Sequence, residues 1–261
     1  MKEPIASNRN PLLVNPPAHL TIDIFKAADE PSLFEDYLRT KYEVFILEKG
    51  TRSLPHDPLR ACALPDAFDY AATIITARLP LDGVVGALRI TEISAADEFP
   101  HRDLFAHHLN AAAIRRLKAF KISALGVEKS FRGGQFWDEA TNQLSSVGAA
   151  LLNAAKVTIQ KLGGGIVFLS TDAKGALSFF QRQGFLVIDK PQKVGRMQIV
   201  NMGLLIQDAA PLKTEGHGKE GEHQIGTTTP NLRQLLAQDY LEQRQRKINK
   251  RLLAKKTAKA S

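Results

Sequence analysis

The way strand-like segments are connected changes along this chain, and that change limits the fold more than any other feature. Tyr70–Leu79 and Val84–Glu92 are rich in β-branched residues. Pro80-Leu81-Asp82-Gly83 between them is a hairpin signal. Later strand-like segments, Phe120–Val127, Ile166–Ser170, Phe185–Asp189 and Arg196–Ile206, come with helical patterns between them or before them. Strands first joined by a turn and then separated by helices predict an α/β mixed sheet with helices on both faces.

The remaining segments fit this scheme. His19–Ala27 alternates apolar and polar residues and reads as a strand. Ser32, with Glu35 three positions on, reads as the N-cap of a helix running to about Gly50, with Leu33, Tyr37, Leu38, Tyr42, Phe45 and Ile46 at helical spacing. Residues 51–69 hold three prolines and no period, and read as an excursion. Asp103–Lys118, Asp138–Leu162 and Ala173–Gln183 read as helices, the second stopped by Gly163-Gly164-Gly165. The domain organisation is an N-terminal arm (1–18), one domain (19–206), a polar Gly-rich linker (207–230) and a basic helical tail (231–261).

Charge is unevenly placed. The chain has 35 Lys/Arg and 27 Asp/Glu. Eight of the basic residues, and no acidic one, lie from Gln243 onward, so the rest carries 27 of each sign. A neutral body argues against a nucleic-acid partner. The tail reads as an inert extension, a contact for anionic membrane or acyl carrier protein, or a nucleic-acid contact. No apolar run approaches the roughly 18–20 residues needed to span a bilayer, and residues 1–20 carry no secretory pattern. Cys62 is the sole cysteine, which excludes an intramolecular disulfide and a thiolate-rich zinc site. The expected location is the cytoplasm, with the tail allowing contact with the inner membrane face.

The most informative motif is Leu125-Gly126-Val127-Glu128-Lys129-Ser130-Phe131-Arg132-Gly133-Gly134-Gln135. A strand ends in a basic, glycine-rich loop ahead of a helical pattern. Bare amides before a helix form an anion site, and Arg132 adds charge. The competing reading is a glycine-rich turn that binds nothing. A Walker loop is excluded, since no Gly-Lys-Ser/Thr follows. A second segment, Ala176 to Phe185, reads on its own as an amphipathic helix, a glycine cap and a strand.

In order and spacing, the two segments resemble the GNAT N-acyltransferase superfamily. Val127, Arg132 and Gly133 match its V-x4-R-G-x-G/A loop, and Ala176, Phe179, Phe180, Gly184 and Phe185 match its A-x-x-F-Y-x-x-x-G-F segment. A narrower resemblance lies upstream. Arg39 to Phe45 is similar to the R-x4-V-F of acyl-homoserine-lactone synthases and long-chain N-acyl amino acid synthases, Asp66 to Asp69 to their D-x-F/Y-D, and Val85 to Ile90 to their V-G-x-x-R-L. Pro100 to Phe105 resembles their P-x-x-L-x-x-F region loosely. Their E-x-S-R is replaced by Lys121-Ile122-Ser123-Ala124, which counts against lactone synthesis. A further departure is that Gln135–Ser145 read as extra residues between loop and helix.

The resemblance implies a GNAT acyl-CoA N-acyltransferase fold. It implies transfer of an acyl group, fatty acyl foremost, from a CoA or acyl-carrier-protein thioester to the amine of a small molecule such as an amino acid. No prosthetic group or metal is expected; the phosphopantetheine thioester is a cosubstrate. Leu125, Val127, Arg132, Gly133, Gly134, Gln135 and Phe180 are the expected donor-binding residues, with backbone amides of Leu125–Val127 as oxyanion donors. The amine needs a base. Glu43, Glu48, Asp66 and Asp69 are the expected candidates, with Glu92 and Glu128 as alternatives. Arg89, a cation in an apolar strand, is expected to pair with Asp66 or Asp69. Phe180 stands where many members have a tyrosine acid, so the thiolate is expected to leave unprotonated. Cys62 is expected to be a bystander. Two other functions fit the sequence: an acetyl-CoA-dependent N-acetyltransferase, and a non-catalytic acyl-thioester sensor or scaffold.

Overall fold

The computed structural model describes residues 18–207 apart from 52–53, 95, 98–101, 115, 140, 174 and 195–196. The expected basic tail, all but the first residue of the expected linker and all but the last residue of the expected arm lie outside the described residues, as does Pro100 of the upstream motifs. β1 (His19–Phe25) leads to α1 (Pro31–Lys41), which passes without a break into a wide π-helical turn, Tyr42–Glu48. The excursion holds a two-stranded ribbon, β2 (His56–Asp57) and β3 (Cys62–Ala63), followed by α2 (Ala67–Ala71). Then come β4 (Thr73–Leu79), β5 (Gly83–Ile93), a 3-10 turn (Arg102–Leu104), α3 (Ala106–Ile114) and β6 (Ala119–Val127). β7 (Phe136–Asp138), β8 (Gln143–Ser145), α4 (Val147–Lys161), β9 (Gly165–Asp172), α5 (Leu177–Arg182), β10 (Leu186–Val187), β11 (Gln192–Val194) and β12 (Met197–Ile206) complete the domain.

The expected mixed sheet is present. Its order is β10-β12-β9-β6-β5-β4-β1-β7-β8, with β11 also on β12. Most neighbours are antiparallel; β6–β9 and β1–β7 are parallel. Alternation sorts the side chains between the faces. Ile75, Ala77, Leu88, Ile90, Phe120 and Ile122 join Val147, Leu151 and Ala155 of α4 in one core. On the other face Phe34, Tyr37 and Leu38 of α1 meet Ile74 and Ala87, with the buried Cys62 beside them. Phe105 and Leu109 meet Ile93 and Phe168 there. Among the described residues no helix is long and apolar enough to cross a membrane.

Four expected elements are corrected. Ser32 is not the cap of α1: Glu30 takes that place without a side-chain bond, and Pro31 opens the helix, where its missing N–H costs nothing. Tyr70 belongs to α2, not to β4, because Asp66 and Asp69 form a reciprocal capping box that starts a helix there. The helix expected over Asp103–Lys118 is shortened to Ala106–Ile114. The helix expected from Asp138 begins only at Val147, capped by Ser146, whose hydroxyl accepts from the Ala149 amide at 3.4 Å. The intervening residues make the β7–β8 hairpin, which extends the sheet through His19↔Trp137 and Leu20↔Asp138. Asn142 in its turn has φ +53, a conformation no helix contains.

Gly165 starts β9 at φ +149, and a Cβ there would lie 2.4 Å from the carbonyl oxygen of Lys118, just before β6. Both backbone conformation and space require glycine. Gly165→Ala is therefore expected to cost about 2 kcal/mol or more, read as a lower urea midpoint. An unchanged midpoint would contradict the close approach of the two strands.

Candidate active site

The parallel strands β6 and β9 pair over three residues only, from Ala119↔Ile166 to Lys121↔Phe168. Past that point β6 follows β5 and β9 follows β12, so the sheet forks. A bulge lies just beyond the fork. Opposite Ala87 and Arg89, two residues apart, β6 places Gly126 and Ser123, three apart, and Ala124 takes φ +51. A bulge interrupts pairing and sharpens twist. Leu125–Val127, the expected oxyanion donors, follow from it. The π-helical turn covers this stretch, and a Cβ on Gly126 would lie 3.0 Å from Val44 Cγ1.

Arg89, Asp66 and Asp69 come together as expected, within a larger network. Arg89 Nη1 donates to Asp66 Oδ1 at 2.6 Å and to Asp69 Oδ1 at 2.5 Å, and its Nε donates to Ser123 Oγ at 2.9 Å. Asp69 is fully buried and also accepts from the Tyr37 hydroxyl at 2.6 Å, Lys41 Nζ at 2.7 Å and the Asp66 amide at 2.9 Å. Two cations thus face two carboxylates. Burial raises the Asp66 carboxyl, but the Arg89 hydrogen bond and the Arg89 and Lys41 charges outweigh it and hold it below its ordinary value. Burial first, and the neighbouring Asp69 charge second, push the Tyr37 hydroxyl well up. Tyr37 and Lys41 were not expected in the site, although their i, i+4 spacing puts them on one helix face.

The other carboxylates line a different place. Glu43, Val44, Leu47, Glu48, Glu128, Lys129 and Ser130 border an open cleft of about 710 Å³ between the π-helical turn and the end of β6. Burial, then the charges of Glu43 and Asp82, raise the Glu128 carboxyl above its ordinary value. Glu48 does the opposite: its hydrogen bond from Arg132 is the main influence and lowers it. Arg132 grips Glu48 with both terminal nitrogens, one at 2.6 Å, and its Nε donates to the Val127 carbonyl at 2.8 Å. Glu92 lies on β5, exposed.

Gly133 has φ +76 with open space where a Cβ would sit, and Gly134 lies against the Phe136 ring. Gln135 is exposed and leads into β7, so the loop does not run directly into a helix. Phe180 is buried, 5.3 Å from the Phe179 ring and 6.0 Å from the Phe185 ring, in the α4-side core. Lys121 was read only as a missing acid. It stands at the last residue pair before the fork, one period-2 step from Ser123. Burial, then the Arg89 charge, push its ammonium down to about 8.

No protein-family model and no curated protein matches the sequence. Solved structures do. The acyl-homoserine-lactone synthase LasI is 10% identical, with a TM-score of 0.52 over 73% of this chain and 91% of that one. The CoA-dependent acyl-homoserine lactone synthase BjaI, solved with SAM and isopentyl-CoA, is 19% identical, with a TM-score of 0.50 over 74% of this chain and 84% of that one. FeeM, an N-acyl amino acid synthase from uncultured soil microbes, is 15% identical, with a TM-score of 0.49 over 72% of this chain and 91% of that one. The first two show the fold: this chain has the GNAT N-acyltransferase fold expected from its motifs.

Proposed function

We propose that this protein is an N-acyltransferase that moves an acyl group from a phosphopantetheine thioester, of CoA or acyl carrier protein, to the amine of a small molecule. The observation that carries this reading is the fork between β6 and β9, with a bulged strand on one side and a carboxylate-lined cleft at its end. A fork admits an extended thioester between strands. The acceptor nitrogen attacks the carbonyl carbon, the C–N bond forms, and the oxyanion is met by amides of Leu125–Val127. Collapse breaks the C–S bond and releases the thiolate. The amine's proton passes, directly or through water, to a base.

Glu128 fits the base best. It borders the cleft, and its raised affinity for a proton suits the task. Glu43 beside it assists by charge. Asp69 and Arg89 hold β5, β6, α1 and α2 together rather than meeting substrate, since Asp69 is sealed and accepts from four donors and Arg89 is taken up by Asp66, Asp69 and Ser123. Phe180 acts as packing beneath the donor. We place the reaction in the cytoplasm, with the basic segment 231–261 available to acidic carrier protein or an anionic membrane.

Arg132 and the backbone of Gly133–Gln135 receive the donor phosphates once Arg132 leaves Glu48. Two variants check this by titration with CoA. Arg132→Ala is expected to weaken binding about tenfold or more. Glu48→Gln, which frees the guanidinium, is expected to strengthen it. Unchanged affinity in both would remove the loop from the donor site. The function itself is tested by thiol release from short and long acyl-CoA with amino acids as acceptors. Acceptor-dependent release is expected; none with any pair would overturn the reading.

A further inference from the structure

Away from the fork, three metal-ligating side chains converge. His107 and His108 stand side by side on α3, and Asp189 follows β10, 81 residues beyond His108. His107 Nε2 lies 3.5 Å from Asp189 Oδ1, and His108 Nε2 lies 3.1 Å from Oδ2. One ligand atom from each of the three lies within 4.8 Å of the others. Consecutive helical residues point about 100° apart and do not ordinarily address one partner. Here the rings turn together, with centroids 3.6 Å apart, and both present Nε2 to the same carboxylate.

The spacing suits an ion. Nitrogen and oxygen ligands bind zinc at about 2.0–2.2 Å, so neighbouring ligands in tetrahedral or octahedral arrangements lie about 3.0–3.5 Å apart. Each imidazole lies that far from its own oxygen of Asp189, so a carboxylate binding through both oxygens would bring all three side chains onto one ion. The setting suits one as well. His108 Nδ1 is buried without a hydrogen-bond partner, so Nε2 is the ring atom left to bond, and an ion there must offset an unpaired Nδ1 proton. Asn201 Nδ2 supports the carboxylate at 3.3 Å, and its Oδ1 accepts from Ser170 Oγ at 3.0 Å. Such supporting bonds orient ligands at metal sites. The His108 side chain is 5% exposed and that of His107 38%, so one flank is dry and the other admits water.

We propose that His107, His108 and Asp189 form a binding site for a divalent first-row transition ion of the zinc type, held by two Nε2 atoms and a carboxylate, with water completing the shell. Imidazole and carboxylate together suit Zn²⁺, Co²⁺ or Ni²⁺ and disfavour Mg²⁺. The site clamps α3 to the β10 end of the sheet. Ser170, two residues past the last β6–β9 pair, links it by hydrogen bonds to the β9 side of the fork.

The test uses the full-length, untagged, chelator-treated protein, titrated with Zn²⁺ by calorimetry and with Co²⁺ by visible absorption. One equivalent is expected to bind saturably, and saturating Zn²⁺ is expected to raise Tm by about 5 °C or more. His107→Gln, on the exposed flank, and the isosteric Asp189→Asn are each expected to weaken binding at least tenfold, whereas Glu128→Gln binds as the parent does. Should Asp189→Asn fail to fold, His107→Gln carries the comparison. No saturable binding by the parent, or equal binding by His107→Gln, would overturn the site and leave the three side chains as a hydrogen-bonded cluster.

Discussion

Arg89→Met is expected to lower Tm by about 10 °C. Removing one member of a buried ion pair costs about 3–5 kcal/mol, and in a domain of this size each kcal/mol is worth about 2–4 °C. The cost arises because Asp69, sealed from water, would be left with Lys41 as its one remaining ion-pair partner among the described residues. Asp69→Asn should also destabilise, and Arg89→Met with Asp69→Asn should cost less than the two single losses combined, because the residues share one network. The pH dependence has a definite sign. Asp66 is held below its ordinary value, so its contribution is present above that value and lost as pH falls below about 4. The parent should lose Tm on acidification through that range more steeply than Arg89→Met. An Arg89→Met variant as stable as the parent would contradict the network.

Glu128→Gln is expected to lower kcat by about 10²–10⁴, the range supplied by a positioned base, with donor affinity unchanged. The parent's rate should rise with pH through an apparent value above that of an ordinary carboxylate, because burial and the nearby Glu43 and Asp82 charges raise Glu128. That limb should vanish in Glu128→Gln. If the variant kept full turnover while Glu43→Gln lost it, the base would be the neighbouring residue. If neither changed, the cleft would not be where the proton goes.

The parts of the fold that sequence reading captured are those where burial leaves a compositional mark. β4 and β5 are covered on both faces, so they stand out as near-continuous apolar, β-branched runs joined by a turn signal. The Arg89 pairing was legible for the same reason: a guanidinium in an apolar strand requires a counter-charge, and the D-x-x-D spacing supplied one. Lys41 was not legible, because a lysine in an amphipathic helix ordinarily faces water, and only tertiary packing makes it buried. The start of α4 was misplaced because Asp138 to Ser145 belong to a hairpin docked on the edge of β1, a tertiary contact that no local period signals. The Arg132–Glu48 grip joins residues 84 apart, and no local pattern signals which carboxylate a loop arginine will meet. The loop was therefore read as an open anion site, whereas a phosphate must displace Glu48 to reach it.

On the proposed function, a thioester lies in the fork and loses its acyl group to an amine. Mass spectrometry of the products is the most direct measurement, after the purified chain is incubated with acyl-CoA of graded length and a mixture of amino acids. New masses equal to the acceptor plus the acyl group less one hydrogen are expected, formed together with free CoA and reduced at least a hundredfold with Glu128→Gln. Binding of every donor with no N-acyl product from any, in the parent as in the variant, would contradict it and leave a thioester-binding protein without transfer chemistry.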